Sequence, residues 1–181
     1  GKLNKEIVAQ LQAHNCNAIG LSGADGNIIQ ADKRAVKEID YGFAGDISKV
    51  NVPLLQQLFK LGLSPVICSL THDKKGQLLN TNADTISNTI ASSLSDKYKV
   101  NLYYLFELEG VLKNKNDQTS KINSINSNEF HKLIELKKIS DGMIPKLHNA
   151  FEAIQKGVHQ ISIGNPSILD NPINGTMLKQ M

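Results

Sequence analysis

Three polar side chains alternate within one short stretch, residues 76–84, and their types could bind an amino acid or organise cations. Asn80, Asn82 and Asp84 present two carboxamides and a carboxylate at every second position. The stretch follows an apolar segment, residues 65–70, predicted to be a buried strand, and precedes a predicted helix over residues 85–94. A turn that only reversed the chain would need one helix-capping residue. Capping explains one or two of the three, so a functional site and turn chemistry both stay open on the residues alone.

A second candidate is the pair Gly142 and Lys146, at the start of a predicted helix that runs to Lys156. Free backbone N–H groups at a helix start attract anions, a glycine lets the backbone approach a ligand, and a lysine one turn later reaches the same point. The GxxxxGK[ST] spacing is absent, so this is not a P-loop. On spacing alone, the simpler interpretation is favoured, namely a proline-started helix with a surface lysine.

Two further patterns indicate less chemistry. Ser22 lies in a glycine-containing stretch, residues 22–26, that could be taken for a phosphate loop, but the lead-in to a hairpin explains it more simply. No histidine and aspartate stand at suggestive positions, which discounts a serine hydrolase. Glu107 and Glu109 alternate after a predicted strand and could point the same way, as a carboxylate pair should, although such glutamates are usually solvated.

Composition narrows the function classes. The 181 residues carry a net charge of +3, with 40% apolar and 20% charged side chains, which is ordinary for a globular protein. The small net charge argues against dedicated nucleic-acid binding. Two cysteines without a CxxC pair and five histidines without ligand spacing predict no structural zinc. No apolar run reaches membrane length and no signal peptide is found, so we expect a soluble, cytoplasmic protein.

The elements that must position these residues alternate along the chain. The pattern predicts helix, strand, hairpin, helix, strand, helix, strand, two helices and two strands, in that order. Helices between short, continuous apolar strands imply right-handed crossovers and a sheet covered on both faces. We therefore predict an α/β fold, a three-layer αβα sandwich with a mostly parallel central sheet. In such sheets ligands bind at the carboxyl ends of strands, and residues 80–84 follow such an end.

Three local predictions complete the scheme. A hairpin pairs residues 27–31 with residues 34–39. The polar insert at residues 113–127 forms an exposed loop or a hairpin. Residues 175–180 form a closing edge strand.

The candidate stretches together resemble one family. Asn-Ala-Ile-Gly-Leu-Ser-Gly-Ala-Asp-Gly at 17–26, Gly-Phe-Ala-Gly-Asp-Ile at 42–47, Asn-Thr-Asn-Ala-Asp at 80–84 and Gly-Met-Ile-Pro-Lys at 142–146 resemble the acetylglutamate kinases of the amino acid kinase superfamily. Gly-Thr-Met at 175–177 is similar to the family's closing segment. The resemblance covers essentially the whole chain in the right order, and the motifs at 80–84 and 142–146 are specific to the family in combination.

The resemblance implies transfer of the ATP γ-phosphoryl group to the side-chain carboxylate of an N-acylated glutamate, in arginine biosynthesis, with Mg²⁺ brought by ATP. It implies that Lys146 is a catalytic lysine on the phosphoryl oxygens and that Asp84 holds the catalytic lysines in place. Asn80 is expected to bind the main-chain end of the acyl amino acid. Asn82 is placed with it at the substrate, although it could also cap the following helix. Such a transfer needs in-line positioning and positive charge rather than a general base.

The resemblance also implies a nucleotide site and two lobes. Residues 1–95 would be the remainder of an acyl-amino-acid-binding lobe, and residues 96–181 a nucleotide-binding lobe. The expected nucleotide-binding residues are Glu107, Leu108, Glu109, Gly110, Val111, Leu112, Lys138, Ile139 and Ser140.

Two departures from the family pattern matter. Phe106 and Glu107 stand where the family commonly has a hydroxyl residue and an aspartate, which resembles a divergent branch and leaves acetyl and succinyl substrates open. The family's first phosphate loop, with a second catalytic lysine, its glycine-rich substrate loop and a substrate-binding arginine have no counterpart here. We therefore expect this chain to be a fragment of a longer kinase that turns over poorly alone.

Other interpretations remain open at this stage. One is another amino acid kinase, acting on carbamate, aspartate or glutamate, and the other is a non-catalytic amino-acid- or nucleotide-binding module of the same fold. The resemblance implies a homodimer or a higher homo-oligomer, and the composition predicts no nucleic-acid or membrane partner.

Overall fold

The computed structural model describes residues 1–114, 117–139 and 142–180. The chain divides into two compact units, Gly1–Ile86 and Ser87–Met181. Among the described residues, no helix combines the length and the apolar character that crossing a membrane would require. The predicted lobe assignment to residues 1–95 and 96–181 stays a prediction.

In the first unit, a parallel pair of strands carries the first helix. The helix α1 (Lys2–Ala13) packs on β1 (Ala18–Leu21), which pairs in parallel with β4 (Ser64–Ile67). The contact is polar and close: Asn4 donates from Nδ2 to the Val66 carbonyl at 2.8 Å, and a Cβ at Gly20 would come within 2.1 Å of Asn4 Oδ1. A side chain larger than glycine at position 20 would therefore displace α1.

The second sheet of this unit has the order β3-β2-β5-β6. Its strands are β2 (Ile29–Lys33), β3 (Gly45–Val50), β5 (Leu70–His72) and β6 (Leu78–Asn80). The predicted hairpin of residues 27–31 with residues 34–39 is wrong, because β2 pairs antiparallel with β3. Val36 and Ile39 are 60% and 58% exposed, so the apolar pattern of that segment does not mark a strand. Helix α2 (Val52–Lys60) follows β3, capped by Asn51.

The second unit is built on one four-stranded sheet of order β7-β9-β10-β8. The strands are β7 (Asn101–Leu105), β8 (Ser124–Asn126), β9 (Gln160–Gly164) and β10 (Thr176–Lys179). β7 and β9 are parallel, whereas β10 is antiparallel to β9 and parallel to β8. The prediction of a closing edge strand is wrong in its position, because β10 lies inside the sheet. β8 lies within the insert that was predicted to be a loop or hairpin.

Three helices complete the chain: α3 (Ala83–Leu94), α4 (Ser127–Glu135) and α5 (Met143–Gln155). α4 begins with a capping box between Asn126 and Glu129. The buried core of the second unit joins α4 and α5 to the sheet, with the rings of Phe130 and Phe151 stacked 5.2 Å apart.

The predicted fold class is confirmed. Helices alternate with short strands, and four of the seven strand pairings in the described ranges are parallel. Parallel pairing of this kind requires crossover connections, here helices between strands, as the periodicity predicted. Each functional candidate can now be placed on these elements.

Candidate active site

The alternating polar stretch is anchored by the threonine between its asparagines. Thr81 is buried; its hydroxyl donates to the Gly45 carbonyl at 3.0 Å and lies 2.8 Å from the hydroxyl of Thr71. Its backbone N–H donates to the Ser69 carbonyl at 3.1 Å. Asn80, the last residue of β6, is exposed. Sequence reasoning missed Thr81, because a threonine among asparagines is typical of any turn.

The two polar residues that follow open helix α3. The side-chain oxygen of Asn82 accepts hydrogen bonds from the backbone N–H groups of Asp84 at 2.8 Å and Thr85 at 3.2 Å. Asn82 is therefore a capping residue in this structure, the second of the two roles left open for it. The half-buried carboxyl group of Asp84 lies in the first helical turn, where the helix dipole favours a negative charge.

Lys146 lies in the first turn of α5, beside β7, an edge strand of the second unit's sheet. Its Nζ is 4.9 Å from the centre of the Tyr104 ring, and Tyr104 is a buried residue of β7. A cation at this distance over an aromatic face is held by the ring's quadrupole. The first turn of α5 contains no acidic residue, so the positive end of its dipole adds to the lysine charge. Sequence reasoning missed Tyr104, because a tyrosine in an apolar strand is typical of a core.

A pocket of about 450 Å³ lies in the second unit, just beyond the end of β7. It brings together two segments that are distant in sequence but were predicted to share a nucleotide. The residues that line it are Leu108, Gly110, Val111, Leu112, Lys113, Asn114, Lys137, Lys138, Ile139 and Met143.

Six of the predicted nucleotide-binding residues therefore line one pocket. Glu107 and Glu109 do not line it and are exposed, and Ser140 lies outside the described residues. Sequence reasoning missed Lys113 and Lys137; lysine in a polar insert or at a helix end carries no signal of its own. The roles of all these residues stay predictions.

The pocket has an apolar part and a positively charged part. Val111, Leu112 and Ile139 are buried and supply apolar surface, whereas Lys113, Lys137 and Lys138 are exposed and supply positive charge. A largely apolar concavity with a few placed polar groups is typical of small-molecule sites. Apolar surface suits a flat heterocyclic base, and lysines suit phosphate groups.

Comparison with known proteins supports the resemblance. The model of the amino acid kinase family matches residues 1–165. The acetylglutamate kinase of Phocaeicola vulgatus is 49% identical over 180 residues, which is 99% of this chain and 70% of that protein. The acetylglutamate kinase of Bacteroides thetaiotaomicron is 50% identical over 181 residues, again with 99% and 70% coverage.

Solved structures share the fold. The crystal structure of smu.665 from Streptococcus mutans has a TM-score of 0.80 and 26% identity, over 97% of this chain and 66% of that one. An N-acetylglutamate synthase from Neisseria gonorrhoeae, complexed with coenzyme A and N-acetyl-glutamate, has a TM-score of 0.78 at 18% identity, over 99% and 43%. A carbamate kinase from Giardia lamblia bound to AMP-PNP has a TM-score of 0.67 at 15% identity, over 98% and 67%. The last two show the fold alone.

The chain thus spans about 70% of the length of these curated relatives. Within that span, 99% of this chain aligns with them, and about half of the aligned residues are identical. Similarity at that level over 99% of the chain is family membership, and the family model agrees. The chain belongs to the amino acid kinase family and, within it, to the acetylglutamate kinases.

Proposed function

We propose that this chain serves the ATP-dependent phosphorylation of the side-chain carboxylate of N-acetylglutamate, in arginine biosynthesis. The observation that carries the proposal is the lysine-rimmed pocket of the second unit, in a chain about half identical to acetylglutamate kinases. The pocket volume of about 450 Å³ lies within the range of small-molecule sites.

The nucleotide is assigned to this pocket. The apolar surface of Val111, Leu112 and Ile139 would receive the base, and Lys113 and Lys137 would face the negatively charged part of the ligand. Mg²⁺ would be held mostly by the phosphates, as is common for this ion. The described part of the chain contains no group of three His, Cys, Asp or Glu that could hold a metal.

The reaction itself asks for charge and positioning. The γ-carboxylate of the acceptor is a nucleophile at neutral pH, so the protein must bring two anions together and offset the charge that spreads over the transferred group. Lys146 is the proposed donor of that positive charge, and Asp84 the residue proposed to hold the lysine side chains. Asn80, with its exposed amide, and Asn82 are proposed to bind the acylglutamate.

Two further expectations belong to this proposal. We expect a cytoplasmic enzyme, since its reactants are biosynthetic metabolites. We also expect a homodimer or a higher homo-oligomer, as the family resemblance implies.

The test is binding followed by turnover with the 181-residue chain. Titration calorimetry with Mg·ADP, Mg·ATP and N-acetylglutamate should show saturable binding of each. A coupled assay should then show ADP release that depends on an N-acylglutamate, with N-acetyl- and N-succinylglutamate compared side by side and carbamate as the control acceptor. A chain that binds neither nucleotide would contradict the proposal. Because this chain is expected to turn over poorly alone, ADP release is compared with a blank that lacks the protein. Binding of all ligands with ADP release no faster than that blank would contradict turnover by this chain and favour a non-catalytic binding module.

A further inference from the structure

The wall of the nucleotide pocket is one side of a narrow backbone ribbon. Residues 108–114 run beside residues 120–122 and are joined to them by hydrogen bonds from Ile122 N to Val111 O at 2.8 Å and from Lys113 N to Ser120 O at 3.1 Å. An isolated antiparallel bridge between Leu112 and Lys121 lies between them. These bonds join the two sides of the ribbon to each other. They do not join the ribbon to the main sheet.

The second side continues into β8, which pairs with β10, and the hydroxyl group of Thr176, the first residue of β10, attaches the first side as well. Thr176 is 0% exposed and is not among the residues that line the pocket. Its Oγ1 accepts a hydrogen bond from Val111 N at 2.8 Å and donates one to the Ile122 carbonyl at 2.5 Å. One hydroxyl therefore joins both sides of the ribbon to a strand in the interior of the sheet.

The neighbouring contacts leave little freedom at this joint. A Cβ at Gly110 would lie 2.7 Å from Thr176 Oγ1 and 3.1 Å from the side chain of Lys121. Nζ of Lys121 in turn donates to the Asn174 carbonyl at 2.6 Å. Gly110 lines the pocket, so the pocket wall packs tightly against the threonine at this point.

We propose that Thr176 is a positioning residue for the nucleotide: through Val111 and Ile122 it holds the apolar wall of the pocket in its binding geometry. This rests on the proposed function, since it presumes that the pocket binds a nucleotide. Removing the hydroxyl leaves the buried N–H of Val111 and the partly buried carbonyl of Ile122 without this partner, which is costly enough to shift the wall.

The test compares Thr176→Val, which keeps the shape and loses the hydroxyl, with Thr176→Ser, which keeps the hydroxyl. Titration with Mg·ADP should give a Kd about tenfold weaker for the valine variant, with affinity restored by serine. The control is Ser162→Ala in β9, a buried hydroxyl that accepts from Gln160 at 3.4 Å and does not line the pocket. Its Kd should match the wild type even if its stability falls.

A second readout separates positioning from general stability. Hydrogen exchange of the Val111 amide should become faster in Thr176→Val but not in Ser162→Ala. Gly110→Ala presses on the same hydroxyl from the other side, and should weaken Mg·ADP binding even if Thr176→Val fails to fold. Wild-type affinity for Mg·ADP in Thr176→Val or in Gly110→Ala would overturn the role of Thr176 but leave the proposed nucleotide site standing. A wild-type chain that does not bind Mg·ADP would overturn both the inference and the proposed nucleotide site.

Discussion

At the residue scale, two local features position the ammonium group of Lys146. The lysine lies in the first turn of α5, and its ammonium group lies over the ring of Tyr104. The face of the ring attracts the ammonium group electrostatically. If Lys146 acts on the phosphoryl oxygens, as proposed, its removal should be felt by the phosphates of a ligand and not by its base.

We accordingly predict that Lys146→Ala weakens Mg·ATP binding about tenfold or more, the loss expected for a charged hydrogen bond. Binding of adenosine, which has no phosphates, should be unchanged. The control is Lys156→Ala, at the far end of the same helix, where the lysine pairs only loosely with Glu152 at 4.0 Å. Equal losses for Mg·ATP and adenosine would argue that the variant damages the fold rather than a phosphate contact.

A second residue-scale prediction concerns acid stability. The backbone N–H and the hydroxyl of Ser22 donate to Asp25 at 2.6 and 2.8 Å, and these bonds lower the pKa of the Asp25 carboxyl below its ordinary value of 3.8. A lowered pKa in the folded state stabilises the fold above the ordinary pKa, and that stabilisation is lost as the pH falls through the lowered value.

Asp25→Asn should therefore lower the free energy of unfolding at pH 7. The effect should be no more than about 1 kcal/mol, because Asp25 is exposed and screened by solvent. Urea unfolding at a series of pH values should show the difference from wild type shrinking below about pH 4. A difference that stays constant down to pH 2 would mean that the carboxylate charge is not its cause.

Residue types alone indicated some of the site and not the rest. Gly142, Lys146 and the polar stretch became candidates because their types suit anions and amino acids, although the spacing alone favoured an ordinary helix start for Gly142 and Lys146. Tyr104, Thr81 and Thr176 were not, since each acts on a partner that folding brings near from a distant part of the chain. A buried hydroxyl has no sequence pattern that separates it from an ordinary strand or turn residue.

At the element scale, four helices end in the same backbone conformation, and one of them places a lysine where the others have glycine or asparagine. After α1, α2, α4 and α5 the chain turns through a residue of positive φ: Asn15 at 59°, Gly62 at 71°, Lys137 at 51° and Gly157 at 96°. In each case the next N–H reaches back to the helix, as from Lys138 to Leu133 at 2.9 Å. Glycine and asparagine suit this left-handed position, and lysine does not.

We predict that Lys137→Gly raises the free energy of unfolding by about 0.5–1 kcal/mol while weakening Mg·ATP binding, because the strained lysine lines the pocket. The matched control is Asn15→Gly, which relieves the same position after α1. It should stabilise less, as asparagine tolerates this conformation, and leave the Kd unchanged. A Lys137→Gly variant with unaltered affinity would remove Lys137 from the nucleotide site.

The same scale shows which elements a pattern can predict. The helices and the strands β7 and β9 were expected close to their observed places, because their apolar periodicity is strong. The partner of β2 was assigned wrongly, since half of the residues of β3 (Gly45–Val50) are polar and only Gly45 in it is buried. A half-exposed strand carries little periodicity, so its pairing is decided by contacts that a local pattern does not contain.

At the scale of the whole molecule, ligand binding and folding are one equilibrium. A ligand that binds only the folded chain stabilises it by about 2.7 kcal/mol at one hundred times its Kd. We predict that Mg·ADP shifts urea unfolding, followed by circular dichroism, by this amount. Mg²⁺ with adenosine at the same concentration should shift it less. No shift at saturating Mg·ADP would contradict a nucleotide site in the folded chain.

The α/β class follows from alternating helices and strands, and was predictable. The order of the strands within each sheet was not, because it depends on pairings between segments far apart in sequence. β10 is the clearest case: its position near the end of the sequence favoured an edge, whereas its neighbours β9 and β8 enclose it.

The inside position of β10 has a consequence for synthesis. In the described part of the chain β8 is hydrogen-bonded to β10 alone, and residues 127–175 must be translated between them. At about 5–20 residues per second, the ribosome leaves β8 without its neighbour for several seconds. A nascent chain that stalls in this interval exposes an open strand edge, which is a template for pairing with another copy. Prematurely terminated products should therefore aggregate or be degraded instead of accumulating as stable half-molecules.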